Sequence, residues 1–356
     1  MMKNKKRKIL TVVGARPQFI KAAVVSYHFC TAPNLNEILI HTGQHFDDNM
    51  SEVFFRDLNI PLPQHQLDIN NKSHAEMTGH MLIALEKIML QEEPNMVLVY
   101  GDTNSTLAGA LVASKLKIPI AHVEAGLRSF NKSMPEEINR VLVDQVSAIY
   151  FCPTFRAVEN LKNENIMINV HHVGDVMYDM VQHFKNKLNS KQFLNAYNLS
   201  FRKYIFLTIH RETNVSEVSQ LRDLLHYVYD YAKHFKHKIL FPLHPRTKKR
   251  IDPDLYEKMN DSLIIVDPLG YFETQVAIMN AQSVFTDSGG LQKEAYFHRV
   301  PCVTLRDETE WVETIERGWN RLWKVPQYIQ PCQEIDEYGD GNAAFNIVNT
   351  INDYLN

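Results

Sequence analysis

Between Tyr100 and Arg140 the chain reads YGDTNSTLAGA (residues 100–110), AHVEAGLRS (121–129) and MPEEINR (134–140). Two apolar runs, Met96 to Tyr100 and Ile118 to Val123, lead into the first two segments and are typical of strands buried on both faces of a parallel sheet. The carboxyl ends of such strands open onto the ligand crevice of α/β folds. We therefore predict that three acidic residues beyond them are working carboxylates: Asp102, Glu124 and Glu136.

Short apolar strands alternate with helix-length segments almost from end to end of the chain. The candidate strands are Ile9–Val13, Ile38–His41, Val97–Tyr100, Ile120–Val123, Ile149–Cys152, Ile168–His172, Tyr204–Thr208, Lys238–Pro242, Leu263–Val266, Ser283–Thr286 and Pro301–Thr304. This alternation predicts βαβ units with right-handed crossovers. Because no repeat of fixed period is present, we expect two similar α/β folds in tandem.

The length of the chain indicates more than one domain. A chain of 356 residues exceeds one ordinary core and favours two domains of about 150 to 180 residues each. The predicted division is a first α/β domain over 1–175, a helix and linker over 176–203, a second α/β domain over 204–340 and a C-terminal helix over 341–356. Amphipathic spacing in Asn342–Leu355 predicts that this last segment packs as a helix.

Composition and charge exclude several classes of protein. Hydrophobic content of 45% and charged content of 22% are ordinary for a globular protein, and a net charge of −3 gives no field for holding nucleic acid. The cysteines, at positions 30, 152, 302 and 332, are far apart and indicate a reducing cytoplasm. The apolar run after the basic start is too short for a signal peptide, and no segment approaches the roughly 18 apolar residues of a membrane span.

The segment Asp287–Glu294, which reads DSGGLQKE, follows a candidate strand and opens a helix. Gly289 and Gly290 let backbone amides approach an anion, Ser288 adds a hydroxyl, and the helix N-terminus adds partial positive charge. These are the features of a diphosphate site, and Glu294 lies where it could reach ribose hydroxyls. A plain strand-to-helix turn explains the same spacing equally well.

A similar turn, Gly14-Ala15-Arg16-Pro17, follows the first strand. Pro17 suits the first position of a helix, and Lys21 follows one turn later. Arg16 is placed to bind phosphate, although a surface arginine at a turn is the alternative. Neither glycine loop has the G-x-G-x-x-G or Walker A pattern, which disfavours a nicotinamide cofactor and ATP chemistry.

Two histidines, His210 and His244, follow the strands Tyr204–Thr208 and Lys238–Pro242 and are each close to an arginine. A histidine at a strand end more often makes a structural hydrogen bond than it catalyses, yet beside an arginine it also suits a charged leaving group. The histidines show neither an H-E-x-x-H pattern nor a facial triad, so we assign no metal.

Taken together, seven motifs resemble those of the non-hydrolysing UDP-N-acetylglucosamine 2-epimerases. They are GARPQFIK (14–21), TGQH (42–45), GDTNST (101–106), HVEAGLRS (122–129), PEEINR (135–140), HRETN (210–214) and DSGGLQKEA (287–295). The match covers nearly the whole chain, and the seven motifs in this order are specific together although each alone is weak.

The resemblance implies an α/β GT-B fold: two Rossmann-like domains with the active site in the cleft between them and a C-terminal helix that returns to the first domain. It also implies a homodimer and no cofactor. Position by position, it makes Asp102, Glu124 and Glu136 catalytic acids and His210 a catalytic-site histidine. Basic positions near the sugar and diphosphate are Arg16, Lys21 and Arg140, and the UDP-binding positions are Ser288, Gly289, Gly290 and Glu294.

The reaction that the resemblance implies inverts C2 of a UDP-2-acetamido sugar by loss and re-addition of UDP through a 2-acetamidoglucal, for surface polysaccharide precursors. GARPQFIK and DETEW (307–311) are closer to the branch that acts on modified sugars, such as UDP-2,3-diacetamido-2,3-dideoxy-glucuronate or a 6-deoxy amino sugar. A hydrolysing epimerase, a GT-B glycosyltransferase and a sugar-nucleotide sensor are the rival interpretations. The acids at 102 and 136 also have a purely structural interpretation as helix caps.

Overall fold

The computed structural model describes residues 6–44, 61–185, 188–243 and 250–356, apart from the side chains of Arg16 and Glu212. The chain divides into two compact units. Unit 1 comprises Met1–Gln182 and Asp336–Asn356, and unit 2 comprises His183–Ile335. Each unit contains one parallel β-sheet with helices in the connections, which confirms the predicted α/β class with two Rossmann-like domains.

Unit 1 contains a seven-stranded parallel sheet in the order β3-β2-β1-β4-β5-β6-β7. Its strands are β1 (Arg7–Val13), β2 (Leu35–His41), β3 (His65–Gln66), β4 (Met96–Tyr100), β5 (Ile120–Val123), β6 (Ile149–Cys152) and β7 (Val170–His172). The helices that follow them are α1 (Arg16–Thr31), α2 (His74–Glu92), α3 (Asn104–Lys115), α4 (Pro135–Val146), α5 (Phe155–Asn163) and α6 (Val176–Phe184).

Unit 2 repeats this arrangement with a six-stranded parallel sheet in the order β10-β9-β8-β11-β12-β13. Its strands are β8 (Tyr204–Thr208), β9 (Lys238–Pro242), β10 (Leu263–Val266), β11 (Ser283–Thr286), β12 (Cys302–Thr304) and β13 (Asn320–Leu322). Its helices are α7 (Ser190–Ala196), α8 (Glu212–Val215), α9 (Val218–Phe235), α10 (Pro253–Met259), α11 (Tyr271–Asn280), α12 (Gly289–Phe297) and α13 (Val312–Glu316).

The last helix, α14 (Ala343–Leu355), belongs to unit 1 and packs against α1. The ring of Phe345 in this helix packs edge to face against the ring of His28, with the ring centroids 5.8 Å apart. Asp179 accepts a hydrogen bond from the Ala344 amide at 2.7 Å, so a side chain of α6 satisfies one of the unpaired amides at the start of α14.

Both sheets are covered by helices on both faces, which explains why their strands are continuous apolar runs. In β1, Leu10 and Val12 point into the core that α2 and α3 complete, whereas Ile9 and Val13 are buried on the opposite face. In the described part of the chain, no helix has both the length and the apolarity that crossing a membrane requires.

In each sheet the strand order reverses direction at one point, between β1 and β4 in unit 1 and between β8 and β11 in unit 2. The connections that leave these neighbouring strands run to opposite faces of the sheet, so the turns at their carboxyl ends separate and open a crevice. The first sheet places the turns beginning at Gly14 and Gly101 there. The second places the segments beginning at Ile209 and Asp287 there.

Two strands, β3 and β13, were absent from the sequence prediction. They are only two and three residues long, lie at the edges of the two sheets and contain polar residues, so they have no apolar run to reveal them. The other eleven strands match predicted ones, with small shifts at β1, β2, β4, β7 and β12.

A half-buried acidic residue in β2 links the stability of unit 1 to pH. Glu37 accepts a hydrogen bond from the Thr11 hydroxyl at 2.6 Å. Burial raises its pKa from 4.5 to about 7, against the opposing effect of the hydrogen bond from Thr11. Since the folded state binds this proton more tightly than the unfolded state, the stabilisation is complete below pH 4.5 and is lost as pH rises through 7.

Replacing Glu37 with Gln should remove this pH dependence. Between about pH 4.5 and 8, we expect the wild-type free energy of unfolding to lose about 3 kcal/mol more than that of Glu37→Gln, because each pKa unit corresponds to about 1.4 kcal/mol. Urea unfolding across this range measures the difference. The exposed Glu86→Gln on α2 is the control and should keep the wild-type slope; a wild-type slope in Glu37→Gln would contradict the assignment.

Candidate active site

The side chain of Gln18 hydrogen-bonds at both turns of the unit 1 crevice, the turn that begins at Gly14 and the turn that begins at Gly101. Its side-chain oxygen accepts hydrogen bonds from the amides of Gly14 at 2.8 Å and Ala15 at 3.0 Å, and its side-chain nitrogen donates to the Tyr100 carbonyl at 2.7 Å. The residue is 1% exposed. Sequence reasoning missed this function. The available signal was a glutamine at the third position of the helix, where its side chain can cap the helix start.

Asp102 is the second residue after β4. It follows Gly101, whose φ is +63°. One guanidinium nitrogen of Arg140 contacts Asp102 Oδ2, and the other donates to Glu137 Oε2 at 2.8 Å. The side-chain amide of Asn139 donates to the Asp102 carbonyl at 2.9 Å. Helix α4 therefore holds both the backbone and the carboxylate of Asp102.

Glu124 lies immediately after β5 and adopts a left-handed backbone conformation, with φ at +69°. This conformation costs a non-glycine residue about 1–2 kcal/mol and is often found at functional sites. The residue is 8% exposed, and Lys21 Nζ of α1 contacts its Oε2. A Cβ atom on Gly101 would lie 3.3 Å from Glu124 Oε2 and 3.7 Å from Lys21 Nζ, so this ion pair borders the turn that carries Asp102.

The adjacent glutamates Glu136 and Glu137 differ completely in environment. Glu136 is exposed in the first turn of α4 and, within the residues described, makes no hydrogen bond or ion pair. Glu137 is 3% exposed and accepts hydrogen bonds from the amides of Ser129 and Phe130, each at 2.9 Å. Burial acts to raise the Glu137 pKa, but these bonds and Arg140 hold it below its ordinary value.

A second residue that sequence reasoning missed is His122 in β5, which is 0% exposed. Its Nδ1 lies 2.7 Å from Asp144 Oδ1, and its Nε2 lies 2.8 Å from the Gly101 carbonyl oxygen. Polar side chains of α1, α4 and β5 therefore all contact the turn that carries Asp102 or the strand end before it.

In unit 2, Asp287 fixes the position of His210. Asp287 is 0% exposed; its Oδ1 lies 3.0 Å from His210 Nδ1, and its Oδ2 accepts from the His210 and Arg211 amides, each at 3.0 Å. Burial acts to raise the Asp287 pKa, but the bonds from His210, Arg211 and Asn214 keep it below its ordinary value. The His210 side chain itself is 62% exposed, so a buried carboxylate orients an accessible imidazole.

Ser288 occupies the N-cap position of α12 without a capping hydrogen bond from its side chain, and its amide donates to the Thr286 hydroxyl at 3.0 Å. A Cβ atom on Gly289 would lie 2.4 Å from Glu310 Oε1, so a side chain there would have to displace the end of Glu310. At Gly290 the nearest atom to an added Cβ would be Glu294 Oε1 at 4.0 Å, which leaves space beside the backbone. An anion therefore has more room beside Gly290.

Glu294 points into unit 2 from the second turn of α12. It is 6% exposed, and its Oε2 accepts a hydrogen bond from the Gln275 side chain at 2.7 Å. The other end of the Gln275 amide, Oε1, lies 2.8 Å from His298 Nε2. These contacts fix the orientation of Glu294 whatever ligand it meets.

Two predicted ligand-binding side chains cannot be placed. His244 lies outside the described residues, and of Arg16 only the backbone, at the start of α1, is described. Within the described ranges, no group of three or more His, Cys, Asp or Glu residues is arranged to hold a metal ion. The cations that the structure places near predicted site residues are Lys21 and Arg140.

Comparison with known proteins gives consistent results. The sequence profile of the UDP-N-acetylglucosamine 2-epimerases matches residues 29–352. The chain is 48% identical to a UDP-N-acetylglucosamine 2-epimerase homolog of Methanococcus maripaludis, over 97% of this chain and 99% of that protein. It is 50% identical to the UDP-2,3-diacetamido-2,3-dideoxy-D-glucuronate 2-epimerase of Pseudomonas aeruginosa, over 88% of each.

A solved structure of similar fold is that of Methanocaldococcus jannaschii UDP-GlcNAc 2-epimerase in complex with UDP-GlcNAc and UDP. The TM-score is 0.86 at 39% sequence identity, and the alignment covers 98% of this chain and 99% of that one.

The turn after β1 should tolerate no side chain at Gly14. A Cβ atom there would lie 2.1 Å from the hydroxyl oxygens of both Thr42 and Ser105, which are themselves buried. We expect Gly14→Ala to lower the free energy of unfolding by about 1–3 kcal/mol through overpacking. The control is Gly79→Ala in α2, which has no atom within 4 Å of the added Cβ and should raise stability by about 0.5–1 kcal/mol. Urea unfolding of both variants tests this, and equal effects would contradict it.

Proposed function

Because the chain belongs to the UDP-N-acetylglucosamine 2-epimerase family and is therefore an isomerase of the nucleotide-sugar type, we propose that it inverts C2 of a UDP-2-acetamido sugar without net hydrolysis. A base takes the C2 proton while UDP leaves C1 with the bonding electrons, which gives a 2-acetamidoglucal. C2 then receives a proton on its other face, and UDP adds back to C1. Atoms and electrons balance without a redox cofactor.

The observation that carries this proposal is the group of carboxylates at the crevice of unit 1. Inversion requires one group that removes a proton from one face of C2 and another that delivers a proton to the opposite face. Asp102 follows Gly101 in sequence and Glu124 Oε2 lies close to Gly101, each acid beside its own cation, and Glu136 is exposed on the helix that supplies Arg140. We propose that these three acids share the proton transfers.

Unit 2 supplies the groups that suit the departing UDP. The backbone amides of Gly289 and Gly290 at the start of α12 and the partial positive charge of the helix N-terminus favour a diphosphate. Since Asp287 engages Nδ1 of His210, Nε2 is the nitrogen that a ligand would meet. We propose that these groups stabilise the negative charge that develops on UDP when its bond to C1 breaks.

For the sugar itself, the first candidate is UDP-N-acetylglucosamine, with UDP-N-acetylmannosamine as the product. A second candidate is UDP-2,3-diacetamido-2,3-dideoxy-glucuronate, because the relative that carries this activity in its name is 50% identical to the chain. Both reactions need the same chemistry at C2, and they differ in the groups at C3 and C5. We further propose that the enzyme acts as a homodimer and supplies precursors for surface polysaccharides.

Incubation with each candidate sugar in deuterated water tests the reaction and the substrate together. We expect deuterium at C2 of the recovered UDP-sugar and of its C2 epimer, because the removed proton exchanges with solvent. NMR reads both the label and the stereochemistry. Accumulation of free sugar and UDP would instead indicate the hydrolysing reaction. Absence of C2 label with every candidate would contradict the proposed function.

The three acids should each matter more for turnover than for UDP binding. We expect Asp102→Asn, Glu124→Gln and Glu136→Gln each to lower kcat by about 100-fold or more, because each removes a proton-transferring group. The Kd for UDP, measured by calorimetry, should change by less than about threefold, a loss below about 0.7 kcal/mol.

The matched control is Glu159→Gln, which changes an exposed glutamate on α5 and should retain wild-type kcat. If all three site variants also turned over at the wild-type rate, the carboxylates would have no part in the chemistry. If only Glu136→Gln did so, the first turn of α4 would have the structural capping function alone.

A further inference from the structure

We propose that His122 is a buried imidazolium ion that positions the Gly101–Asp102 turn for proton transfer. The hydrogen bonds of the ring establish the geometry, and the catalytic consequence rests on the proposed function. His122 is a positioning residue, because it contacts the backbone next to Asp102 and acts through that turn.

The protonation state follows from the two partners of the ring. His122 Nδ1 faces a carboxylate oxygen of Asp144 at 2.7 Å, and Nε2 faces the carbonyl oxygen of Gly101 at 2.8 Å. Both oxygens are acceptors, whereas a neutral imidazole has only one N–H donor. A neutral ring would direct a lone pair at one of these oxygens, and burial favours the paired arrangement, since His122 and Asp144 are both 0% exposed. A ring that carries both hydrogens satisfies both acceptors.

A buried positive charge needs compensation, and a chain of alternating charges supplies it. Asp144 contacts Arg128 through a nitrogen at 2.8 Å, and the Arg128 guanidinium also donates twice to Glu164, each at 2.7 Å. These four side chains, in the spatial order His122, Asp144, Arg128 and Glu164, therefore carry two positive and two negative charges that alternate in sign. Only its last member reaches solvent, with 27% of the side chain exposed. Such pairs are costly to break once buried.

Two further titratable side chains, Tyr150 and Cys152 of β6, interact with Asp144. The negative charge of Asp144 adds to burial in raising the pKa of both. On the other side of the ring, the Lys21–Glu124 ion pair borders Gly101. The Gly126 amide also donates to Asp144, at 3.1 Å, in addition to the contacts from His122 and Arg128. Accordingly the Asp144 pKa is below its ordinary value, although burial acts to raise it.

The position of His122 in the chain makes this ring a link between two acids. It contacts the carbonyl of Gly101, directly before Asp102, and its own position in β5 is two residues before Glu124, which follows that strand. A hydrogen bond from an ionised donor is stronger than a neutral one. Because a shift of about 1 Å in a catalytic group can cost about 100-fold in rate, the link matters for chemistry as well as for stability.

Two substitutions separate the two ends of the ring. The amide nitrogen of Gln in His122→Gln lies close to the place of Nε2 and can still donate to Gly101, whereas the amide of Asn in His122→Asn reaches only the Asp144 side. We expect His122→Asn to lower kcat by about 10–100-fold, with KM and the Kd for UDP within about threefold of wild type. Where the loss of kcat in His122→Asn exceeds about tenfold, the kcat of His122→Gln should be at least about tenfold higher than that of His122→Asn.

The matched control is His172→Asn, because His172 also lies at the end of a strand of unit 1 and its Nε2 lies 2.7 Å from a backbone carbonyl, that of Glu337. It should retain wild-type kcat. Equal kcat in His122→Asn and His122→Gln would overturn the positioning function.

NMR of wild-type protein labelled with ¹⁵N in histidine tests the charge directly and requires no turnover. We expect one histidine ring with two N–H signals that exchange slowly with solvent and persist at neutral pH; both should vanish in whichever His122 variant folds. A single N–H on that ring would overturn the imidazolium assignment. If the wild-type protein labelled C2 of no UDP-sugar, the proposed reaction would fail while this spectrum still decided the state of His122.

Discussion

Pairing of charges at the ends of buried strands is the constraint on which unit 1 depends. A parallel sheet covered on both faces excludes water from its strands, so a carboxylate next to a strand end is costly unless a cation or hydrogen-bond donors meet it. Arg140 meets Asp102, Lys21 meets Glu124, and His122 with Arg128 meets Asp144. The helices that complete the core therefore also fix the acids, because α1 supplies Lys21 and α4 supplies Arg140.

Unit 2 follows the same rule with different chemistry. One of its buried carboxylates, that of Asp287, accepts from backbone amides and contacts the ring of His210 in place of an arginine or a lysine. The result is one exposed histidine held by a buried acid, next to a helix N-terminus that favours anions. Unit 1 thus groups carboxylates that are each paired with a cation, whereas unit 2 presents an imidazole and backbone amides at a helix N-terminus.

The sequence predicted the fold well and the site only in part. Continuous apolar runs identified eleven strands, and the GT-B class and the family resemblance are confirmed. Side-chain environment was the missing information: Glu136 and Glu137 are adjacent in sequence, yet one is exposed and the other is buried. His122 and Asp144 lie 22 residues apart, and only the packing of α4 against the sheet brings them together. Such tertiary contacts have no local sequence signal.

The central claim, that the acids of unit 1 move the C2 proton, is tested most directly by a crystal structure of this protein with UDP-N-acetylglucosamine bound. We expect C2 to lie within about 3–3.5 Å of side-chain oxygens of two of the acids Asp102, Glu124 and Glu136, one on each face of the ring. We also expect the diphosphate to lie at the amides of Gly289 and Gly290. A sugar bound with C2 beyond reach of all three acids would contradict the account.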